Sequence, residues 1–391
     1  MNDIKCYDLR GCLRRRYQAN LQNPEEGQFP HGEVNYPDEF EKIEKHLNEV
    51  VHPEIVKSAA AQGDGLLTDH GSEHVAMVIQ RASLLVGTGA SRLTGYEVFI
   101  LLLAIHFHDA GNIFGRDEHE RKISKIVHSC ALLDSVDGID EVVKRWIIRI
   151  AATHGGKTEE SSKDTISQLP LETDVRGVKI RPALLAAILR FADEIADDNA
   201  RAAKFLGKMG VIPAQNQIYH KFSASLQPVS VSERELYFQF YLTKDDVMYS
   251  YGKNDKTQLL YDEILLRMKK CYCELIYCAK YADGLLSKIM TIRAEVYVYE
   301  NKEDVQEVFK ESLSLKVGGY PDYESGQKFE DLPGEQPKCL TGLALQEKMN
   351  EQLSKKITYK EKLTKETKKC QTWQGRTRLQ LLVRKVCRLK M

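Results

Sequence analysis

Hydrophobic residues between positions 60 and 200 recur at helical spacing, and residues that favour helix starts precede several of these runs. Thr94 followed by Glu97 has the spacing of a capping box, in front of an apolar run that ends near His108. Asp69 and Ser72 are both candidate N-caps for the preceding helix. The pattern predicts helices over 73–85, 97–108, 117–133, 140–154 and 182–197, and no strand.

The period changes after about residue 210. Residues 236–242 alternate between buried-type apolar residues and polar or aromatic ones, which is typical of a half-buried strand. Residues 218–231 are expected to supply one or two partner strands and 294–299 another, with a long helix over 255–287 between them. Residues 318–338 have the Gly/Pro-rich polar composition of a linker.

Together these patterns predict a mainly α protein, in which a helical bundle carries a smaller C-terminal α+β subdomain. We expect four segments along the chain. They are an N-terminal extension over 1–60 with a helix at 38–50, the helical domain over 61–205, the α+β subdomain over 206–317, and a linker with a basic tail over 318–391.

The composition is that of an ordinary globular protein, with 42% hydrophobic and 29% charged residues, so disorder of the whole chain is not expected. The longest strongly apolar run, 98–107, is about half as long as a membrane span. The N-terminus lacks the apolar core of a secretory signal. The nine cysteines have no paired spacing, as expected for reduced thiols. We therefore expect a cytoplasmic protein without a membrane.

The net charge is zero but unevenly distributed. Residues 339–391 contain fourteen Lys/Arg and four Asp/Glu, a local net charge of +10, which leaves the preceding residues near −10. Such a basic tail can bind nucleic acid or an acidic protein partner. It can equally be a solvated helical extension.

The histidines are concentrated, with seven of the eleven between residues 70 and 154. Four of them fall near ends of predicted helices, where helices packed side by side can converge their side chains, and two aspartates join them. These six residues are His74, His108, Asp109, His119, His154 and Asp193. Imidazole and carboxylate ligands together suit Mn, Fe, Co, Ni or Zn. A metal would also neutralise charges that are costly to bury unpaired.

The order of these residues resembles the HD phosphohydrolase superfamily: a histidine, a His-Asp doublet, a further histidine and a closing aspartate on successive helices. The stretches EHVAMVI, LLLAIHFHDAG and LLAAILRFADEIAD carry the resemblance. The stretches TDHGSEHV and ATHGG most resemble the bacterial HD-CE subgroup, which often occurs as, or beside, a GHKL-type ATPase. The resemblance covers roughly residues 60 to 300.

The resemblance implies a ligand set. His74, His108, Asp109 and Asp193 would form a first metal site, and Asp109 would bridge to a second metal held also by His119 and His154. One or two divalent ions are therefore expected, and His108 and Asp109 are the predicted catalytic residues.

One departure concerns substrate binding. Related families often carry a lysine just after the Asp-x-Gly, where it contacts the substrate phosphate, whereas this chain has Asn112. The candidate substitutes are Arg116, Lys122, Lys157 and Arg190. Each of them can also be a solvated surface cation or a helix-end charge.

Other histidines and the clustered cysteines have plainer interpretations. His70 can ligate, can hold His74 by a hydrogen bond, or can shape the helix start. His106 and His128 are expected to be structural. The cysteines of the 255–287 helix are expected to be buried thiols, because their spacing is not that of a zinc site.

The resemblance implies a metal-dependent phosphohydrolase or phosphodiesterase that cleaves a nucleotide, a cyclic nucleotide or a related phosphoester with metal-activated water. One alternative is a metal-dependent nuclease on single-stranded nucleic acid. Another is a non-catalytic HD-domain sensor or scaffold in a multi-protein system, for instance in antiphage defence. The net negative charge of residues 1–338 favours a nucleotide substrate over long nucleic acid, whereas the basic tail favours nucleic acid. No Walker-type loop is visible, so an ATPase partner would be a separate protein.

Overall fold

The computed structural model describes residues 8–23, 28–30, 33–61, 71–87, 93–197, 210–232, 234–301, 303, 306–317, 329–332, 334–352, 354–355 and 362. The chain divides into two compact units, Met1–Leu340 and Thr341–Met391. The domain limits predicted from the sequence stay a prediction.

The first unit begins with a helical region. Its helices are α1 (Leu9–Gln22), α2 (Tyr36–His46), α3 (His52–Ala61), α4 (Ser72–Val86), α5 (Gly95–Phe107), α6 (His119–Ser129), α7 (Ala131–Ser135), α8 (Glu141–Ala152) and α9 (Pro182–Glu194). A π-helical turn, Leu47–Val51, joins α2 to α3, and a 3-10 turn, Ala110–Phe114, follows α5.

Helix α5 is the centre of this region, and every one of its residues is buried. It packs against α1, α2, α4, α8 and α9. The predicted capping box is confirmed: Thr94 accepts from the backbone N–H of Glu97, and the Glu97 carboxylate accepts from the N–H of Thr94. Within the described residues, Gly95–Phe114 is the stretch long and apolar enough to cross a membrane, but 83% of its apolar window is buried inside the protein. It is therefore a core helix.

Helices α1 to α3 are tied to α5 by a buried chain of polar side chains. Arg10 of α1 donates to Glu44 of α2 at 2.9 Å, and Glu44 also lies 3.2 Å from Nε2 of His106 on α5. Nδ1 of His106 lies 3.2 Å from Nε2 of His52 on α3, with the two rings stacked. His52 and His106 are each only 1% exposed. The helices of the predicted N-terminal extension thus contact the core helix directly.

The structure corrects the predicted boundaries in three places. Gly71, and not Ser72, is the N-cap of α4, while Asp69 lies outside the described residues. The helix predicted over 117–133 is broken at Cys130 into α6 and α7. A short antiparallel hairpin, β1 (Thr173–Val175) and β2 (Val178–Ile180), occupies a region where no strand was expected.

The α+β part follows. Its elements are α10 (Gln217–Ser225), β3 (Ser230–Val231), β4 (Glu235–Thr243), α11 (Lys244–Met248), β5 (Ser250–Lys253), β6 (Lys256–Leu259), α12 (Leu260–Ala279), β7 (Thr291–Tyr299), β8 (Glu307–Lys316) and β9 (Gly334–Glu335). The main sheet has the order β3-β4-β7-β8-β9, with β4 and β7 parallel and the other pairs antiparallel.

Helix α12 is the crossover between the parallel strands β4 and β7, because parallel neighbours need a long connection. It packs against α9 of the helical region. Residues 217–225 form helix α10 where a strand was expected, and the 255–287 helix is shorter than predicted because β6 occupies its start. The prediction of a mainly α fold with an α+β subdomain is confirmed.

In the second unit, residues 342–352 are helical. Most of the predicted basic tail lies outside the described residues.

The buried chain through Glu44 predicts a selective loss of stability. Glu44→Gln removes the charge that holds Arg10 and His106, so we expect the free energy of unfolding to fall by about 1–3 kcal/mol in urea denaturation at pH 7. The matched control is Glu41→Gln, since Glu41 pairs with Arg14 on the same two helices but is 53% exposed. That change should cost about 0.5 kcal/mol or less. Equal effects of the two variants would contradict the assignment.

The same contact has a defined pH dependence. Burial acts to raise the pKa of Glu44, but the hydrogen bonds from His106 and Arg10 outweigh it and lower the pKa to about 2. A lowered carboxyl pKa stabilises the fold above the ordinary value of about 4.5 and loses this effect as the pH falls towards 2. The stability difference between wild type and Glu44→Gln should therefore be largest above about pH 4.5 and shrink on acidification, as urea denaturation at several pH values can measure. A difference that stays constant down to pH 3 would contradict the prediction.

Candidate metal centre

The six predicted ligands lie close together, each at or near a helix end. His74 lies in the first turn of α4, His108 caps the C-terminus of α5 and Asp109 follows it, His119 begins α6, His154 lies just beyond α8, and Asp193 lies in the last turn of α9. Because these ends converge on one point, side chains far apart in sequence meet there. Their ligand roles themselves stay a prediction.

The first cluster contains His74, His108 and Asp193, whose potential ligand atoms all lie within 4.8 Å of one another. Nε2 of His74 is 3.1 Å from Oδ1 of Asp193, and Nε2 of His108 is 3.6 Å from the same oxygen. His74 and His108 are fully buried.

The second cluster contains Asp109, His119 and His154, again with ligand atoms within 4.8 Å of one another. Nε2 of His119 is 3.2 Å from Oδ1 of Asp109, and Nε2 of His154 is 3.6 Å from it. The two imidazole Nε2 atoms are 3.1 Å apart.

Asp109 connects the clusters. Its Oδ1 faces His119 and His154, while its Oδ2 lies 3.4 Å from Nε2 of His108 and 3.6 Å from Nε2 of His74. Asn112 donates a hydrogen bond to Oδ1 at 3.1 Å and so fixes the carboxylate plane. The two oxygens of one buried carboxylate thus point to two different groups of imidazoles.

Backbone carbonyls fix the orientation of three rings. Nδ1 of His108, His119 and His154 lies 2.7, 3.0 and 2.7 Å from the carbonyl oxygens of Ile105, Arg116 and Ala151, respectively. With the proton on Nδ1 donated to the backbone, the lone pair of each Nε2 faces the cluster.

This orientation fits a cation. Nε2 of His108 is buried and has no hydrogen-bond partner, and the Nε2 lone pairs of His119 and His154 face each other. Ligands around one ion at about 2.1 Å lie roughly 3–3.5 Å apart, which matches the observed separations. The buried His/Asp groups can therefore hold a metal ion.

The pKa directions show the same demand for positive charge. Burial acts to lower the pKa of His108, but the carboxylates of Asp109 and Asp193 outweigh it and raise the pKa well above its usual value. Burial acts to raise the pKa of Asp193, but the neighbouring His108 and His74 imidazoles outweigh it and lower the pKa well below its usual value. The two carboxylates thus favour positive charge among the imidazoles, which a bound metal ion would supply.

A cavity of about 260 Å³ opens beside the second cluster. Four cationic side chains are among its lining residues: Arg116, Lys163, Arg190 and Lys270. Of the four predicted phosphate-binding cations, Arg116 and Arg190 line this cavity, whereas Lys122 and Lys157 are not among its lining residues. Lys122 instead donates to the backbone oxygens of Phe114 and Asp117.

The sequence interpretation missed Lys163 and Lys270. Lys163 lies in the loop after α8 and Lys270 on α12, and neither belongs to a motif. Only the packing of α12 on α9 brings Lys270 to the cavity.

The other described histidines and the described cysteines lie outside both clusters. His106 packs in the core next to His52, and His128 is exposed on α6. His70 lies outside the described residues. No group of potential metal ligands within the described residues contains a cysteine. Burial raises the pKa of Cys271 and Cys278 well above that of a free thiol, as expected for inert core thiols.

The comparison with protein families matches this geometry. Residues 65–250 match the family model described as HD-CE. This match, over a little under half of the chain, supports membership of the HD-domain superfamily. Neither the curated proteins nor the solved structures gave a match.

The HD-CE match spans all six clustered residues and ends at Ser250, the first residue of β5. An HD domain with a His/Asp cluster that can hold metal fits a metal-dependent hydrolase. Helices α1 to α3 and strands β7 to β9 lie outside the matched range. The association with an ATPase stays a prediction.

The two HD clusters predict a metal stoichiometry. We expect about two equivalents of divalent metal in the wild type, about one in His119→Gln, and little in Asp109→Asn, which changes a ligand shared by both groups. The control is His128→Gln, because His128 lies on the same helix as His119 but is exposed. Elemental analysis of proteins purified side by side measures this. Wild-type metal content in His119→Gln would rule out the second site.

Metal binding to the HD centre should also release protons. In the metal-free protein burial acts to lower the pKa of His119, but Asp109 outweighs it and raises the pKa, as it does for His108. A raised imidazole pKa means that protons compete with the metal around neutral pH. The affinity for Mn²⁺ should therefore increase with pH between 6 and 8, by roughly tenfold per pH unit for each proton displaced. Titration calorimetry in buffers of different ionisation enthalpy measures the protons, and absence of release would contradict the assignment.

Proposed function

We propose that this protein is a metal-dependent phosphohydrolase that cleaves a phosphoester of a nucleotide-type substrate. The observation that carries the proposal is the position of Asp109, whose two oxygens face two separate groups of correctly oriented imidazoles. Such an arrangement fits a single divalent ion, or two divalent ions that share the Asp109 carboxylate. A scaffold with no chemistry to perform gains nothing from a pair of adjacent cation sites beside an open cavity.

The bound metal would supply Lewis acidity, which activates water and stabilises charge on the phosphoryl oxygens. His74, His108, Asp109 and Asp193 would hold one ion, and His119 and His154 would share Asp109 for the other. The backbone carbonyls that accept from His108, His119 and His154 keep these imidazoles in the tautomer that can ligate.

The cavity favours an anionic substrate of limited size. Its lining pairs the ligand carboxylates with four cations, and once metal neutralises Asp109 and Asp193 the remaining charge attracts phosphate. The volume of about 260 Å³ is at the scale of a small ligand site. These features support a nucleotide-type phosphoester over an extended polymer.

The test is hydrolysis of a substrate panel by the metal-loaded protein. The panel contains nucleoside mono-, di- and triphosphates, cyclic nucleotides, cyclic oligonucleotides, and single-stranded DNA and RNA, with products separated by chromatography. We expect turnover of at least one nucleotide, and a loss of at least about a hundredfold in Asp109→Asn.

The control variant is again His128→Gln, which should retain wild-type turnover with an unchanged melting temperature. Equal activity in Asp109→Asn would show that the hydrolysis comes from elsewhere. A metal-loaded wild type that hydrolyses nothing in the panel would favour the sensor or scaffold interpretation, and cleavage of the single-stranded polymers alone would favour a nuclease.

A further inference from the structure

The loop between α8 and β1 forms part of the cavity wall and carries Lys163. Its backbone is held from the helical region. Nη1 of Arg190, on α9, donates to the carbonyl oxygen of Lys163 at 3.1 Å and to Oγ1 of Thr165 at 2.9 Å. Oγ1 of Thr165 in turn donates to the carbonyl of Thr153 at 2.8 Å.

The same loop is held from the α+β part by α12. The hydroxyls of Tyr277 and Tyr281 donate to Oδ1 of Asp164 at 2.9 and 3.0 Å, and the N–H of Ile166 donates to the Tyr277 hydroxyl at 3.0 Å. The Lys163 carbonyl and the three residues that follow it are therefore held by two helices. This fixes the backbone of Lys163 at the cavity wall, which the residue lines.

The charges around the cavity are matched except at two residues. Arg190 makes a two-point contact with Glu274, at 2.7 and 2.9 Å, and Lys270 pairs with Glu194 at 2.6 Å. The other two lining carboxylates, Asp109 and Asp193, belong to the metal clusters.

Lys163 and Arg116 are left without an anionic partner for their side chains among the described residues. Arg116 lies in the exposed turn before α6, and its carbonyl oxygen accepts from Nδ1 of His119, so a substitution there would also disturb a residue of the second cluster. Lys163 combines a fixed backbone with an unmatched charge. Exposed lysines are commonly solvated. Lys163 differs in that its backbone is held at the cavity wall by hydrogen bonds from α9 and α12 to its own carbonyl and to the next residues.

We propose that Lys163 binds a phosphate group of the substrate. The inference rests on the proposed function in requiring a phosphate-bearing substrate, but the ammonium contact itself needs no metal. It makes Lys163 a binding residue at the wall of the cavity, supplied from a loop whose position depends on both the helical region and α12.

The test is titration calorimetry of inorganic phosphate into Mn²⁺-loaded protein, with metal content measured for every variant. Lys163→Gln should weaken phosphate binding about tenfold, as expected for the loss of one charge-assisted hydrogen bond, with the metal content unchanged. Lys163→Arg should bind within about threefold of wild type. The matched control is Lys157→Gln, because Lys157 lies in the same loop but does not line the cavity, and its affinity should equal that of wild type.

The inference is overturned if Lys163→Gln binds phosphate as tightly as wild type, if Lys157→Gln weakens binding equally, or if metal-loaded wild type binds no phosphate. The titration repeated after chelation separates it from the proposed function. If the protein takes up no metal on reconstitution but its phosphate binding still depends on Lys163, the hydrolase proposal fails and the lysine contact is supported. Where a substrate has been found, Lys163→Gln should raise KM while leaving kcat nearly unchanged, since the contact is made in the ground state and transition state alike.

Discussion

A buried carboxylate surrounded by imidazoles is the constraint on which this domain depends. Asp109 is 5% exposed, and its two oxygens face four histidine rings from four different helix ends. Isolated buried charge is strongly unfavourable, so such a cluster persists only when a cation or shared protons neutralise it. The helices that supply these residues consequently have to end close to one another. The apolar helix α5 is surrounded by other helices along its length, and this burial stabilises the region. His108, at the C-terminus of the helix, is positioned by that packing.

Helix α9 links this centre to the second part of the fold. One turn of the helix carries Asp193 towards the imidazoles, and its neighbours Arg190 and Glu194 pair with Glu274 and Lys270 on α12. The parallel β4–α12–β7 unit is therefore attached to α9 next to Asp193. At this point the predicted metal ligand and a charged residue of the cavity wall, Glu194, are neighbours in the sequence. A displacement of α12 along α9 would alter the cavity wall without touching the imidazoles.

Local patterns accounted for much of the helical region. The capping box at Thr94 and Glu97 was visible because capping needs only neighbouring residues. The hairpin was missed because its strands have three residues each, too few for alternation to show, and its signal lies in the turn, where Arg176 and Gly177 both have positive φ. Residues 218–231 were expected to supply one or two strands. They contain the short strand β3, but most of the segment is helix α10, because so short a segment has too little periodicity to distinguish helix from strand. The order of the six clustered residues suggested that they converge, whereas Lys163, Lys270 and the contact of Glu44 with His106 depend on tertiary packing that no local spacing encodes.

A polar chain runs from Arg10 through Glu44 to His106 and His52. Of these residues only His106, two positions before His108, lies within the family-matched segment. A shortened protein that starts at residue 65 would keep all six clustered residues but would lose Glu44. The buried imidazole of His106 would then lack the carboxylate that contacts it. The limits of the family match mark only the part of this sequence that resembles the family. In this chain the side-chain contacts of the core helix reach beyond those limits, to Glu44 and His52, neither of which belongs to a cluster.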